Sequence, residues 1–129
     1  MNSSQSVSVV LPAYNERGNI ADTVKGCIEF AGGKLPDYEI IVVDDGSTDG
    51  TGALVNRIAE VNPKVRLVSH RLNRGYGSAL KSGFEAAGKD YIFLIDGDGQ
   101  FDIRDIENSL STPADSMWSS VIEAGEQTP

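Results

Sequence analysis

Asp96 and Asp98 stand one glycine apart, directly behind the apolar run Tyr91-Ile92-Phe93-Leu94-Ile95. In an extended strand, residues two apart point to the same side, so this spacing brings two carboxylates together. Two anions that close repel each other unless a proton or a cation intervenes. Hard oxygen donors suit Mg²⁺ or Mn²⁺, and Mg²⁺ is commonly held by one or two carboxylates together with substrate phosphates. The pair therefore implies a divalent metal that receives a phosphorylated ligand.

Three further clusters carry possible chemistry. Pro12-Ala13-Tyr14-Asn15-Glu16 reads either as a turn that caps the next helix or as a base-binding ledge. On the second reading Tyr14 offers a stacking face and Glu16 an acceptor. Asp44-Asp45-Gly46-Ser47-Thr48-Asp49 is a good capped turn, yet capping does not require two adjacent carboxylates behind a buried strand. Such groups can accept bonds from ribose hydroxyls or a base N–H. The segment from His70 to Gly77 gathers positive charge in an acidic chain. It is either a solvated basic loop or a diphosphate contact, with glycines that allow backbone approach and a helix N-terminus beyond. His70 is the only histidine, which excludes a histidine-based metal cluster. Cys27 lies on the core face of a helix and reads as packing.

Familiar motifs fail on inspection. Asp96, Asp98, Gln100, Ile103 and Glu107 fit part of a calcium-loop pattern, but Phe101 stands where that loop needs glycine. The Asp-Gly-Asp-Gly run is similar to the start of a haloacid-dehalogenase-type phosphatase, whose downstream partners have no room here. There is no Walker P-loop, and Ala79-Leu80 breaks a dinucleotide fingerprint at its third glycine.

These clusters sit at the ends of regular elements. Short apolar runs at residues 7–11, 38–43, 65–68 and 91–95 predict four strands, the first stopped by Pro12. Between them, three amphipathic patterns predict helices. The first starts at Asn19 and buries Ile20, Val24, Cys27, Ile28 and Ala31; Gly32-Gly33 ends it. The second buries Leu54, Val55, Ile58 and Ala59, and the third Ala79, Leu80, Phe84 and Ala87. This β-α alternation predicts an α/β fold: a mostly parallel sheet flanked by helices, with right-handed crossovers. Carboxylates at the strand ends would then line the crevice where such sheets bind ligands. Beyond Asp102, Ile103, Ile106 and Leu110 suggest a short helix. Met117, Trp118, Val121 and Ile122 are the last apolar cluster, and the chain after them reads as frayed.

The 129 residues are enough for one domain with its own core. A net charge of −8 argues against a general nucleic-acid binder, though not against a nucleotide ligand. One cysteine, no signal-peptide pattern and no apolar run near the ~20 residues of a membrane helix suggest a cytoplasmic chain without a transmembrane segment.

Taken together, four segments resemble the nucleotide-sugar-binding half of family 2 glycosyltransferases. They are Val9-Val10-Leu11-Pro12-Ala13-Tyr14-Asn15-Glu16, the run from Ile41 to Thr51, Asn73-Arg74-Gly75-Tyr76-Gly77-Ser78-Ala79-Leu80, and Asp96-Gly97-Asp98-Gly99-Gln100. Among them the similarity is greatest to dolichyl-phosphate mannose synthase-like and other polyprenyl-phosphate glycosyltransferases. The resemblance implies a Rossmann-like GT-A fold, a UDP- or GDP-sugar donor, Mg²⁺ or Mn²⁺, and a lipid-phosphate or other acceptor at a membrane surface. It implies that Pro12, Tyr14 and Glu16 line the base pocket and that Asp44 or Asp45 contacts base or ribose. Arg74 and Gly75 would lie near the donor, and Asp96, Asp98 and Gln100 would form the metal set, with Asp98 as the catalytic residue. It further implies a donor-binding domain over residues 1–110. The tail 111–129 offers no counterpart of the family's acceptor half, so a binding module completed by a partner chain or a second copy is the alternative expectation.

Overall fold

The computed structural model describes residues 6–95 and 121–123. Its elements are β1 (Ser6–Ala13), α1 (Ile20–Lys34), β2 (Asp37–Asp45), α2 (Thr51–Val61), β3 (Val65–His70), α3 (Tyr76–Ala86), β4 (Tyr91–Leu94) and β5 (Val121–Glu123). All four strands and three helices expected from the periodicity are present. β5 was not expected as a strand; it pairs antiparallel with β4, Phe93 opposite Val121. The readings at Ile103, Ile106, Leu110, Met117 and Trp118 lie outside the described residues.

The sheet order is β3-β2-β1-β4-β5, with the first four strands parallel. From β1 the chain moves outward to β2 and β3, then crosses back to lay β4 on the other side of β1. The order reverses at the β1/β4 boundary, and open α/β sheets bind ligands at the carboxyl ends of the strands beside such a switch.

β1 is one strand turn longer than Pro12 predicts, because its last residues still pair with β2: Pro12 opposite Val43 and Ala13 opposite Asp44. Val10 accepts from Ile95 N–H, so residue 10 bonds toward β4, and alternation puts Pro12 on the same side. β4 ends at Leu94, so the N–H that proline lacks is not needed by the ladder.

One row of side chains crosses the sheet through Phe93, Val9, Ile40 and Val65, and packs under α1 and α2 with Ile20, Val24, Cys27, Ala31 and Val55. Burial pushes the Cys27 thiol up to about 12, which keeps it protonated and inert at neutral pH. The opposite face carries Ile41 and Val43 beneath α3, with Ala79. There the helix comes so close that a Cβ on Gly83 would stand 2.5 Å from Val10 Cγ1. Gly83 is thus part of the core face of α3, where the apolar pattern points to Leu80 and Phe84, both only half-buried.

Candidate functional site at the strand ends

Two loops at the carboxyl edge of the sheet are stitched to each other. Asn15 holds a left-handed φ of 52°, a conformation asparagine tolerates better than most residues. Its N–H donates to Ser47 Oγ at 2.8 Å, and its Oδ1 accepts from Thr48 N–H at 2.8 Å. Glu16 N–H donates to Thr51 Oγ1 at 3.0 Å, and that hydroxyl donates in turn to Asp49 Oδ1. Arg17 N–H donates to Asp49 Oδ2 at 3.1 Å. The hydroxyl of Thr51, with the N–H groups of Arg17 and Thr51, outweighs burial and holds the Asp49 carboxyl below its ordinary value. This lattice fixes the backbone on which Tyr14 and Glu16 stand. Tyr14 is 46% exposed, and the carboxylate of half-buried Glu16 accepts from Asn19 Nδ2 at 3.2 Å. Asn19 occupies the expected start of α1, but its side chain does not cap the helix; it goes to Glu16 instead.

Asp44 and Asp45 are neighbours in sequence with opposite duties. Asp45 is buried on the α3 side, and both its carboxylate oxygens are consumed inside the chain. Oδ1 takes His70 Nδ1 at 2.7 Å and Arg74 N–H at 2.9 Å; Oδ2 takes Asn73 Nδ2 at 3.1 Å and Gly75 N–H at 2.9 Å. A carboxylate offers about four lone-pair sites, so none is left for a ligand. Burial pushes the Asp45 carboxyl up, but the bonds from His70, Arg74 and Gly75 outweigh it and hold it below the usual range. Asp44, buried on the other face, accepts from Ser47 N–H through Oδ1 at 3.0 Å. No described residue donates to its Oδ2. Gly52 makes room for it: a Cβ there would stand 2.4 Å from Asp44 Oδ2.

The same bonds decide what the glycine-punctuated loop can do. Arg74 and Gly75 spend their N–H groups on Asp45, so phosphate contact by that backbone, one reading of the sequence, is not available at these two positions. The Arg74 residue itself is exposed. Leu72 and Asn73 run directly over Gly46, whose φ of 77° and missing side chain permit the approach.

Of the residues expected at the site, Pro12, Tyr14, Glu16, Asp44, Asp45, Arg74 and Gly75 all lie at this edge. Asp96, Asp98 and Gln100 lie outside the described residues. Among the described residues no group of three acidic, histidine or cysteine side chains is placed to hold a metal ion. The positioning roles of Asn15, Thr51, His70 and Ser82 are not expected from the sequence. His70 had a usable signal, since it ends β3 directly opposite Asp45 at the end of β2.

Comparison with known proteins gives this edge its setting. The family description Glycosyl transferase family 2 matches residues 8–112. A dolichyl-phosphate beta-glucosyltransferase of Dictyostelium discoideum is 36% identical over 106 residues, which cover 77% of this chain and 32% of that protein. A polyprenol monophosphomannose synthase of Mycolicibacterium smegmatis is 38% identical over 100 residues, covering 74% and 36%. Among solved structures, a mannosyltransferase of Pyrobaculum calidifontis in complex with GDP-Man and Mn²⁺ superposes with a TM-score of 0.69 at 30% identity, over 83% of this chain and 32% of that one. The chain thus spans about one third of the length of the relatives it matches. No helix among the described residues is long and apolar enough to cross a membrane. The parallel sheet flanked by helices is of the GT-A type, as the motifs implied. By the match over most of its length, the chain belongs to glycosyl transferase family 2.

Proposed function

We propose that this edge binds a UDP- or GDP-sugar together with Mg²⁺ or Mn²⁺, as the donor-binding part, over residues 1–110, of an enzyme that passes the sugar to a polyprenyl phosphate. The observation that carries the reading is the stitching of the β1–α1 loop to the β2–α2 loop. It holds Tyr14, Glu16 and Asp44 at one edge of the sheet. Tyr14 supplies a stacking face for the base. Glu16 and Asp44 accept from base N–H or ribose hydroxyl groups, while Asp45 shapes the loop behind them. Arg74 offers its guanidinium to the diphosphate, a pairing suited to that planar fork.

Asp96, Asp98 and Gln100 would hold the metal. Two carboxylates and an amide oxygen are a hard donor set of the kind Mg²⁺ and Mn²⁺ accept. When bound, the ion supplies Lewis-acid neutralisation of charge on the leaving nucleoside diphosphate. Support comes from the P. calidifontis mannosyltransferase, a complex with GDP-Man and Mn²⁺, and from the dolichyl-phosphate beta-glucosyltransferase and polyprenol monophosphomannose synthase relatives. A lipid-linked acceptor would set the working protein against a membrane surface.

Calorimetric titration of GDP and UDP into the purified chain tests the reading. Binding is expected to require Mg²⁺ or Mn²⁺, to vanish on chelation, and to be lost in Asp98→Ala. Metal-independent binding of equal strength would sink it. Adding a polyprenyl phosphate then separates a competent transferase from a donor-binding module completed by another chain.

A further inference from the structure

We propose that His70 is a positioning residue that sets donor affinity through Asp45, by holding the loop that presents Arg74. The inference rests on the nucleotide-sugar reading of the site. His70 is one end of a buried relay: its Nδ1 lies 2.7 Å from Asp45 Oδ1, and its Nε2 lies 2.8 Å from Ser82 Oγ on α3. The side chains of His70 and Asp45 are each 5% exposed. Asp45 is an acceptor, so Nδ1 carries a proton and donates. The Ser82 hydroxyl can donate to a neutral ring or accept from a charged one, so the ring stays held in either state.

The contact order Ser82, His70, Asp45 is that of a hydrolytic triad, but it cannot work as one. Ser82 lies within α3, where backbone N–H groups are used up by the helix and none is left to stabilise an oxyanion. What the relay does hold is the loop. Asp45 distributes four bonds, one to the His70 ring and three to Asn73, Arg74 and Gly75, so the angle of its carboxylate fixes all three loop residues. His70 is the only side chain on β3 that sets this angle, as its register partner across the sheet. Without that bond the carboxylate can rotate and Arg74 loses its fixed starting point. Ordering would then have to be supplied at binding, which lowers affinity.

Two substitutions separate this role from simple support of α3. Asparagine puts its amide near the place of Nδ1 and keeps a donor for Asp45. Glutamine reaches the place of Nε2 and keeps the link to Ser82. By titration of GDP or UDP with Mn²⁺, His70→Asn is expected to bind within roughly twofold of the wild type. His70→Gln and His70→Ala are expected to bind roughly tenfold more weakly, the scale of one hydrogen bond to a charged group. In the same variants, amide exchange at Arg74 and Gly75 is expected to accelerate in His70→Gln but not in His70→Asn. Equal binding by the Asn and Gln variants, or unchanged exchange at both amides in His70→Gln, overturns the proposal. If the wild type binds neither nucleotide, the functional reading fails, and the exchange rates alone then decide whether His70 positions the loop.

Discussion

Glu39 and Asp45, both on the α3 side of β2, fasten opposite ends of α3. Asp45 accepts the backbone N–H groups of Arg74 and Gly75 just before the helix. Glu39 Oε2 accepts Gly88 N–H just after it, at 2.7 Å, and Ser8 Oγ at 2.7 Å from β1. Arg66 reinforces the second clamp by bridging Glu39 Oε1 at 2.8 Å and Ala86 O at 3.1 Å. One strand thereby sets the position of a whole helix with two carboxylates.

Both clamps make stability depend on pH. Burial raises each carboxyl, but the bonds from Gly88, Ser8 and Arg66 to Glu39, and from His70, Arg74 and Gly75 to Asp45, win and hold both low. A carboxyl whose folded value is depressed contributes stability that is complete above its unfolded value, about 4, and is lost as pH falls through the folded value. Melting temperature is therefore expected to fall below about pH 4. Asp45→Asn should cost about 2–3 kcal/mol at neutral pH and flatten that acid limb. An acid limb as steep as the wild type's would count against the clamp.

Thr51 is wholly buried and joins both stitched loops through one hydroxyl. Thr51→Val keeps the shape but leaves Glu16 N–H without an acceptor, at a cost of about 1–3 kcal/mol. Thr51→Ser restores most of it. Urea midpoints with an unchanged slope would show the effect to be on the native state.

Gly46 and Gly75 both have positive φ, yet they should respond differently to alanine. A Cβ on Gly46 would lie 2.3 Å from Leu72 C and from Asn73 N, whereas nothing stands within 4 Å of one on Gly75. Gly75→Ala is expected to cost about 1–2 kcal/mol from backbone strain alone. Gly46→Ala must also push the β3–α3 loop away and should unfold at clearly lower temperature. Equal melting temperatures would refute the close approach.

Gly83→Ala is expected to cost about 1–3 kcal/mol, because its methyl meets Val10. In a Val10→Ala background the same change should be milder by about 1 kcal/mol or more, a coupling a double-mutant cycle measures. Strict additivity would mean that α3 does not touch the sheet there.

Periodicity and strand-end carboxylates made much of this legible in the sequence. Short apolar runs marked four strands because β1 and β2 are buried on both faces, and helical spacing found α1 and α2. What stayed hidden depends on contacts between distant segments. Nothing local distinguishes Asp44 from Asp45; only their opposite directions from β2, one toward α2 and one toward α3, divide their work. Gly83 carries no apolar signal although α3 brings it directly against Val10 of β1. β5 was missed because a strand of three residues has too little pattern to read, and its pairing with β4 defines it.

The strand order also sets an expectation for the order of assembly. β1, β2 and β3 can pair as soon as residues 6–70 are available, with α1 and α2 already packed on them. The second side of β1 stays open until β4 arrives, pairing Val7 with Tyr91 from opposite ends of the main described segment. Closing so long a loop is entropically the slowest contact in the sheet. By loop length alone, the pairing of β1 with β4 is therefore expected to form after that of β1 with β2 and of β2 with β3.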